Sequence, residues 1–286
     1  MTGLAGFRDG AIVRLTDAGV PTPEVDTDLL IGHVLDLSRG EVQAKAIADV
    51  ELRESEVDEL NDMLERRVAR EPLQHITGRA YFRSLTLAVG PGVFIPRPET
   101  EQVAQYAIDA LRAVPGEEPL AVDLGTGSGA IAFSMATEVP HSKVWAVEIS
   151  PDAFVWTQRN RELTGATNAE LVLGDLDSAL APLDGTVDVV ISNPPYIPTD
   201  AVPRDLEVRL HDPKTALYGG ADGLDVVRQV SHTALRLLHA GGTLVLEHGE
   251  LQGESIAALL RAHGWTAVAT HRDLLGRDRA TTALRH

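Results

Sequence analysis

Leu120-Ala121-Val122-Asp123-Leu124-Gly125-Thr126-Gly127-Ser128-Gly129-Ala130-Ile131-Ala132-Phe133 is the stretch on which the fold turns. A short apolar run of strand length passes through three alternating glycines into a pattern that suits a helix. Glycine lets the backbone bend sharply and come close to a ligand, and the first turn of a helix carries N–H groups with no partner inside the helix. Strand, tight glycine turn and helix in that order form the site at which open parallel sheets hold nucleotide-like cofactors. The loop reads G-x-G-x-G, whereas a dinucleotide cradle needs G-x-G-x-x-G and a P-loop needs Gly-Lys followed by Ser or Thr. A plain structural turn is the competing reading of the loop taken alone.

Downstream, the next apolar run, from Lys143, ends at Val147-Glu148, an acid about 20 residues beyond the glycines. A carboxylate at the tip of the second strand can accept hydrogen bonds from both hydroxyls of a ribose. Asp123, at the tip of the first strand, suits a ligand ammonium group, with capping of the adjacent turn as its alternative. Further on, strand-like and helix-like segments alternate: Pro151–Leu163 helical, Glu170–Leu173 and Val187–Ser192 extended, Leu224–Leu238 helical, Thr243–Leu246 extended, Ser255–Ala262 helical, Trp265–Thr270 and Thr281–Leu284 extended. Such alternation predicts an α/β fold with a mostly parallel sheet covered on both faces.

Upstream the pattern is different. Leu4, Phe7, Ala11, Ile12, Leu15 and Ala18 recur at helical spacing, as do Val25, Leu29, Leu30, Val34 and Leu35, and Leu52, Val57, Leu60, Leu64 and Val68. Ser38 and Glu41 have the S-x-x-E spacing of a capping box. These 75 residues carry eight Lys and Arg against 16 Asp and Glu. Between them and the sheet, Tyr81, Phe82, Leu85, Leu87 and Val89 alternate before Gly90-Pro91-Gly92 and Val93-Phe94-Ile95-Pro96, which predicts a β-hairpin connector with a turn at the glycines. The expected organisation is a helical bundle over 1–75, a β-hairpin linker over 76–101 and a catalytic domain over 102–286.

Composition narrows the function. The 286 residues carry a net charge of −17, which opposes binding to a polyanion because nucleic-acid affinity comes largely from Lys and Arg at phosphates. No apolar run approaches the ~20 residues that span a bilayer, and the first residues lack the pattern of a signal peptide, so a cytoplasmic protein without membrane contact is expected. There is no cysteine, which excludes disulfides and thiolate chemistry, and the ten histidines show no HExxH spacing, so no metal is expected.

The second decisive stretch is Val187-Asp188-Val189-Val190-Ile191-Ser192 running into Asn193-Pro194-Pro195-Tyr196. The prolines fix φ and break the ladder, leaving the Asn193 side-chain oxygen and the Pro194 carbonyl as two acceptors at a strand end. A substrate NH2 can donate one hydrogen to each, which aims its lone pair at an electrophile such as a sulfonium methyl. As positive charge grows on that nitrogen, the same two oxygens stabilise the transition state more than the ground state. Tyr196 supplies an aromatic face to a flat amide and to the developing charge. A rigid proline turn closing the strand is the bland alternative.

With these two motifs, Glu71-Pro72-Leu73-Gln74-His75-Ile76-Thr77-Gly78, Phe94-Ile95-Pro96-Arg97-Pro98-Glu99-Thr100-Glu101, Leu217-Tyr218-Gly219-Gly220-Ala221-Asp222-Gly223-Leu224 and Asp273-Leu274-Leu275-Gly276-Arg277-Asp278-Arg279, nearly the whole chain resembles the HemK/PrmC family of N5-glutamine methyltransferases. The resemblance implies a Rossmann-like class I methyltransferase fold with a seven-stranded sheet, preceded by a helical bundle that docks the substrate and a hairpin linker. It implies S-adenosyl-L-methionine as methyl donor, S-adenosyl-L-homocysteine as product, and class-1 peptide chain release factors as protein substrate; from the charge no direct nucleic-acid contact is expected, and a monomer is expected. It further implies that Gly125, Thr126, Gly127, Ser128, Gly129, Glu148 and Asn193 meet the cofactor, beside Asp123 as read above. Asn193, Pro194, Pro195 and Tyr196 hold the glutamine, with Asn193, Pro194 and Tyr196 as the catalytic set, and Phe94, Arg97, Glu99 and Thr100 line the pocket from the linker side. Where similar proteins place an aromatic residue near the adenine, after Gly174-Asp175, this chain has Leu176, so Asp175 or Leu176 is the expected contact.

An N6-adenine methyltransferase of DNA or RNA shares the tetrapeptide and acts on a flipped base, and the acidity of this chain counts against it. A cofactor-binding adaptor without turnover conflicts with the intact Asn193-Pro194-Pro195-Tyr196. A dehydrogenase lacks its G-x-G-x-x-G.

Overall fold

The computed structural model describes residues 2–286, and these divide into two compact units: residues up to Gly78 together with Arg204–His211, and Arg79–Pro203 together with Asp212–His286. The first unit opens with a two-residue strand β1 (Thr2–Gly3) and runs through α1 (Leu4–Asp17), α2 (Pro23–Leu35), α3 (Arg39–Ile47), β2 (Glu51–Leu52), α4 (Glu54–Val68) and α5 (Leu73–Thr77). The expected capping box starts α3: Ser38 N donates to Glu41 Oε2 at 2.8 Å, and Glu41 N donates to Ser38 Oγ at 3.4 Å. Leu4, Ile31, Val42, Leu52 and Leu60 form one core, and Ala11, Leu15, Val20 and Leu64 a second. Leu4, Ala11, Leu15, Leu52, Leu60 and Leu64 are residues of the helical-spacing sets, while Val20, Ile31 and Val42 join the cores from outside them; their removal from water drives the helices together.

The second unit holds a hairpin, β3 (Arg79–Phe82) and β4 (Leu85–Ala88), then α6 (Pro98–Ala113), β5 (Leu120–Leu124), α7 (Ala130–Glu138), β6 (Lys143–Glu148), α8 (Pro151–Thr164), β7 (Ala169–Leu173) and β8 (Val187–Ser192). Helix α9 (Leu206–His211) follows, then α10 (Asp225–Leu237), β9 (Leu238–Glu247), α11 (Gly253–Ala262), β10 (Thr266–Arg272) and β11 (Asp278–Leu284). The hairpin turns at Arg83-Ser84, with Arg83 at φ 52°, and not at Gly90-Pro91-Gly92. Val93 and Ile95, expected as part of an extended arm, lie outside any strand and are buried with Ala80, Val89 and Ala153. Their burial, rather than pairing, is what their hydrophobicity recorded.

Seven strands form one sheet in the order β10-β11-β9-β8-β5-β6-β7, parallel except for β11, which runs antiparallel to both of its neighbours. This is the α/β class expected. Strand residues alternate between two cores: Val189, Ile191 and Val245 pack with α6 and α7 residues such as Ile108, Leu111 and Phe133, while Val190, Leu244 and Leu246 pack with Val230, Leu237, Ile256 and Leu260 of α10 and α11. Burial on both faces explains why the strands read as nearly continuous apolar runs. From β5 the chain moves outward to β6 and β7, then crosses back to β8 on the other side of β5. That reversal opens a crevice at the carboxyl ends of β5 and β8, the place where open α/β sheets bind ligands.

Helix α9 interrupts the second unit in sequence but clusters with the first. Its Glu207 accepts from Arg67 Nη2 at 2.9 Å and from Arg70 Nε and Nη2 at 3.0 and 2.8 Å, while Arg67 also donates to Asp26 at 2.7 Å. Burial works against the Glu207 carboxylate, but the Arg70 and Arg67 hydrogen bonds more than offset it and pull its pKa down to about 2.

Candidate active site

The loop from Gly125 to Gly129 leaves β5 with all three glycines at positive φ, between 58° and 84°. At Gly129 a Cβ would stand 2.0 Å from the Phe133 ring, so the turn into α7 admits no side chain. Gly125 N and Thr126 N donate to Val147 O, both at 2.9 Å, tying the loop to the end of β6. Glu148 follows Val147; its Oε2 accepts from Gly127 N and its Oε1 from Ser150 N, each at 2.8 Å. The acid and the loop that the sequence pairs are therefore hydrogen-bonded to each other, with lone pairs on both oxygens to spare.

Asp123 is fully buried beneath the loop. Its Oδ2 accepts from Thr126 Oγ1 at 2.6 Å and from Ala132 N at 3.1 Å, which is the turn-capping role. Its Oδ1 is buried with no partner. Burial, with the negative charge of Glu148 adding to it, pushes the carboxyl pKa up to about 7 against those two hydrogen bonds. An acceptor left unsatisfied in this position fits the ammonium group of a ligand held by the loop, where the charge pair would restore the ionised form.

Strand β8 lies beside β5 with Ile191 opposite Asp123, and Ser192 Oγ donates to Leu124 O at 2.7 Å. Asn193 thus leaves the sheet next to Gly125. Ile197 N donates to Leu217 O, Gly219 N to Ile197 O, and Thr199 N to Gly220 O, all at 2.9 Å, so the segment after the tetrapeptide is laced to residues 217–220. The carbonyl oxygens of Pro195 and Tyr196 sit against Gly219 and Gly223, where a Cβ would stand 2.3 Å from each. Gln252 Nε2 donates to Tyr196 O at 2.9 Å while Gln252 Oε1 accepts from Gly249 N at 3.0 Å. Burial, with Glu247 nearby, raises the Tyr196 phenol to about 12, so it stays neutral.

Of the linker-side candidates, Thr100 lies in the first turn of α6 and its Oγ1 accepts from Asn193 Nδ2 at 3.4 Å. Arg97 and Glu99 sit close enough to Tyr196 to act on its charge, Arg97 stacks over the Phe94 ring at 4.9 Å, and Arg97 Nη2 donates to Asp212 Oδ2 at 2.6 Å. Leu176 is half-buried against the α10 side of the core, and Asp175 Oδ1 accepts from Asp177 N at 2.9 Å. Both follow Gly174, whose N–H donates to Glu148 O at 2.9 Å. Among the described residues there is no cluster of His, Asp and Glu able to hold a metal, and no helix long and apolar enough to cross a membrane.

Family models described as PrmC N-terminal domain and methyltransferase small domain match residues 8–78 and 85–212. A release factor glutamine methyltransferase of Streptomyces coelicolor is 50% identical over 96% of this chain and 95% of its own. The chain belongs to the release factor glutamine methyltransferase family. A 4-amino-L-phenylalanine/4-methylamino-L-phenylalanine methyltransferase of Streptomyces pristinaespiralis is 38% identical over 99% of this chain and 95% of its own. Among solved structures, the T. thermophilus 16S rRNA N2 G1207 methyltransferase in complex with AdoMet and guanosine shares the fold, with a TM-score of 0.53 at 21% identity over 73% of this chain and 50% of that one.

Two residues of this family member escaped the sequence reading. Gln252 holds the tetrapeptide from the N-cap of α11, and Glu247, at the carboxyl end of β9, is 1% exposed beside Thr100 and Asn193. The signal for Glu247 was of the kind that singled out Glu148, an acid closing an apolar strand. It lacked a nearby glycine loop to draw attention to it.

Proposed function

We propose that this chain methylates the side-chain amide nitrogen (N5) of the glutamine in the Gly-Gly-Gln motif of class-1 peptide chain release factors. S-adenosyl-L-methionine supplies the electrophilic methyl when bound and leaves as S-adenosyl-L-homocysteine. The observation that carries the reading is the adjacency of two strand ends: the Gly125–Gly129 loop with Glu148 and Asp123 at one, and Asn193-Pro194-Pro195-Tyr196 at the other. The loop N–H groups and Glu148 suit a nucleoside, and the orphaned Asp123 Oδ1 suits an amino-acid ammonium. Together they suit the two ends of a nucleoside joined to an amino acid.

Asn193 Oδ1 and the Pro194 carbonyl accept the two amide hydrogens of glutamine and orient its nitrogen in line with the methyl. Tyr196 covers the amide plane, with Phe94, Arg97, Glu99 and Thr100 completing the linker side. The cation formed is acidic enough to release its proton to solvent. In the same reading the acidic first unit docks a basic region of the release factor through complementary charge, and the enzyme acts as a cytoplasmic monomer without direct nucleic-acid contact.

Mass spectrometry of full-length release factor and of DNA after incubation with the protein and S-adenosyl-L-methionine tests this. A single added methyl on the Gly-Gly-Gln glutamine is expected. Methyl found on adenine, or on no glutamine, refutes it.

A further inference from the structure

Asn193 can serve as an acceptor only if its amide is turned the right way. The two ends of an asparagine side chain are nearly isosteric, yet one accepts and the other donates. A flipped Asn193 would present NH2 to the NH2 of its substrate, donor against donor. Nothing in the tetrapeptide itself selects one orientation. The selection comes from α6 and β9: Thr100 Oγ1 accepts from Asn193 Nδ2 at 3.4 Å, and the Glu247 carboxyl lies against both the Thr100 hydroxyl and the Asn193 amide. Glu247 is almost completely buried, and its Oε2 has no partner. A carboxyl group kept in such a place is costly unless it has work to do.

Resting on the function proposed above, we propose that Glu247 is a positioning residue: with Thr100 it holds the NH2 end of the Asn193 side chain inward, so that Oδ1 faces the reacting nitrogen. The Thr100 hydroxyl accepts from Asn193 and can donate onward to Glu247, forming a short relay from the sheet edge to the site. A carboxylate at its end draws the Asn193 NH2 and the Thr100 hydroxyl into donor roles, polarises the Asn193 carbonyl, and adds negative potential where positive charge grows on the substrate nitrogen. A protonated Glu247 can donate instead, and both effects weaken.

The charge balance around Glu247 makes this sensitive to pH. Arg279 from β11 favours the carboxylate, Glu99 from α6 opposes it, Tyr196 stays neutral, and Thr100 and Asn193 lower the pKa by hydrogen bonding. Burial outweighs the favourable contacts and lifts Glu247 to about 7. Arg279 is itself committed: Nη1 donates to His248 O at 3.3 Å and Nε lies 3.8 Å from Asp273 Oδ2. It contributes field rather than a direct bond to Glu247.

The test compares Glu247→Gln, Glu247→Leu and Thr100→Val with wild type. The readouts are kcat and KM for full-length release factor, calorimetric binding of S-adenosyl-L-homocysteine, and the pH dependence of kcat. Glu247→Gln, which keeps the shape and one acceptor, is expected to lose about 10-fold in kcat and Glu247→Leu about 100-fold or more, with product affinity and KM within about 3-fold. Wild-type kcat rises with pH through an ionisation that Glu247→Gln lacks. Unchanged kcat in Glu247→Gln, or a pH profile identical to wild type, overturns the assignment even if the leucine variant fails to fold.

A second readout needs no methyl acceptor. The Asn193 side-chain NH2 resonances, identified by their disappearance in Asn193→Ala, should shift with pH in wild type and stay fixed in Glu247→Gln. Coupled resonances in a chain that methylates no release factor would refute the substrate and leave the positioning role standing. Active wild type with uncoupled resonances would do the reverse.

Discussion

Single residues at this site are defined by which of their atoms remain unsatisfied. In the proposed reaction Asn193 contributes an acceptor that matters most as charge develops, so Asn193→Ala is expected to leave S-adenosyl-L-homocysteine affinity within a few-fold while kcat falls by roughly 10²–10³. Calorimetry beside single-turnover methyl transfer checks this. Asp123 and Glu247 share another property: burial raises both carboxyls to about 7 from ordinary values of 3.8 and 4.5. The folded chain therefore holds protons that the unfolded chain has released, and each group favours folding fully below its ordinary value and progressively less as pH rises toward 7. Each carries on the order of 3–4 kcal/mol across that window. The melting temperature of ligand-free protein is expected to fall by several degrees between pH 5 and pH 8, and Asp123→Asn to flatten that slope by about half. A melting temperature that rises over this interval contradicts the assignment.

At the scale of elements, the prolines fix φ within the tetrapeptide, while neighbouring segments set where its carbonyls point. The end of β8 supplies the exit, residues 217–223 wrap the far side, and Gln252, which caps α11, bonds one carbonyl. Gly219 is in that wrap because no side chain fits against Pro195 O. Gly219→Ala must push the Pro195 carbonyl, and the acceptor of Pro194 with it, out of line. A shift of even ~1 Å in a reacting geometry costs about 100-fold. The expected result is a kcat lowered at least 10-fold with S-adenosyl-L-homocysteine binding nearly unchanged, measured as for Asn193→Ala. Equal losses in binding and rate would mean that the wrap supports the cofactor side instead.

For the whole molecule, charge and sheet topology act at different ranges. On the proposed function, the reversal of strand order at β5 and β8 places the reaction, while the net charge of −17, shared by an acidic first unit, biases which partners approach. If that unit attracts a basic region of the release factor, raising salt from about 50 to 500 mM shortens the Debye length from roughly 14 to 4 Å and should raise KM for release factor several-fold. The value of kcat and the KM for S-adenosyl-L-methionine should stay within about 2-fold. Steady-state kinetics at graded salt decides it, and a salt-independent KM removes charge from the docking account.

The sequence by itself determined the type of most of the longer elements, because hydrophobic period is a local property, but not β1, β2, α6 or α9. Val187–Ser192 and Leu120–Leu124 are strands over those residues, and Ser38 caps its helix through Glu41 three positions on. The glycine loop, Glu148 and the tetrapeptide were legible as candidates for the same reason: each is a short motif whose chemistry needs adjacent residues. The hairpin turn was misplaced because Gly90-Pro91-Gly92 is the stronger local signal, whereas pairing of Phe82 with Leu85 and burial of Val93 and Ile95 depend on what packs against them. Only the tertiary structure brought Thr100, Asn193 and Glu247 together, from a helix start and two strand ends far apart in the chain. Helix α9 joined the first unit through Arg67 and Arg70 in the same way. Buried charge and amide orientation are set by partners distant in sequence, and no local pattern records them.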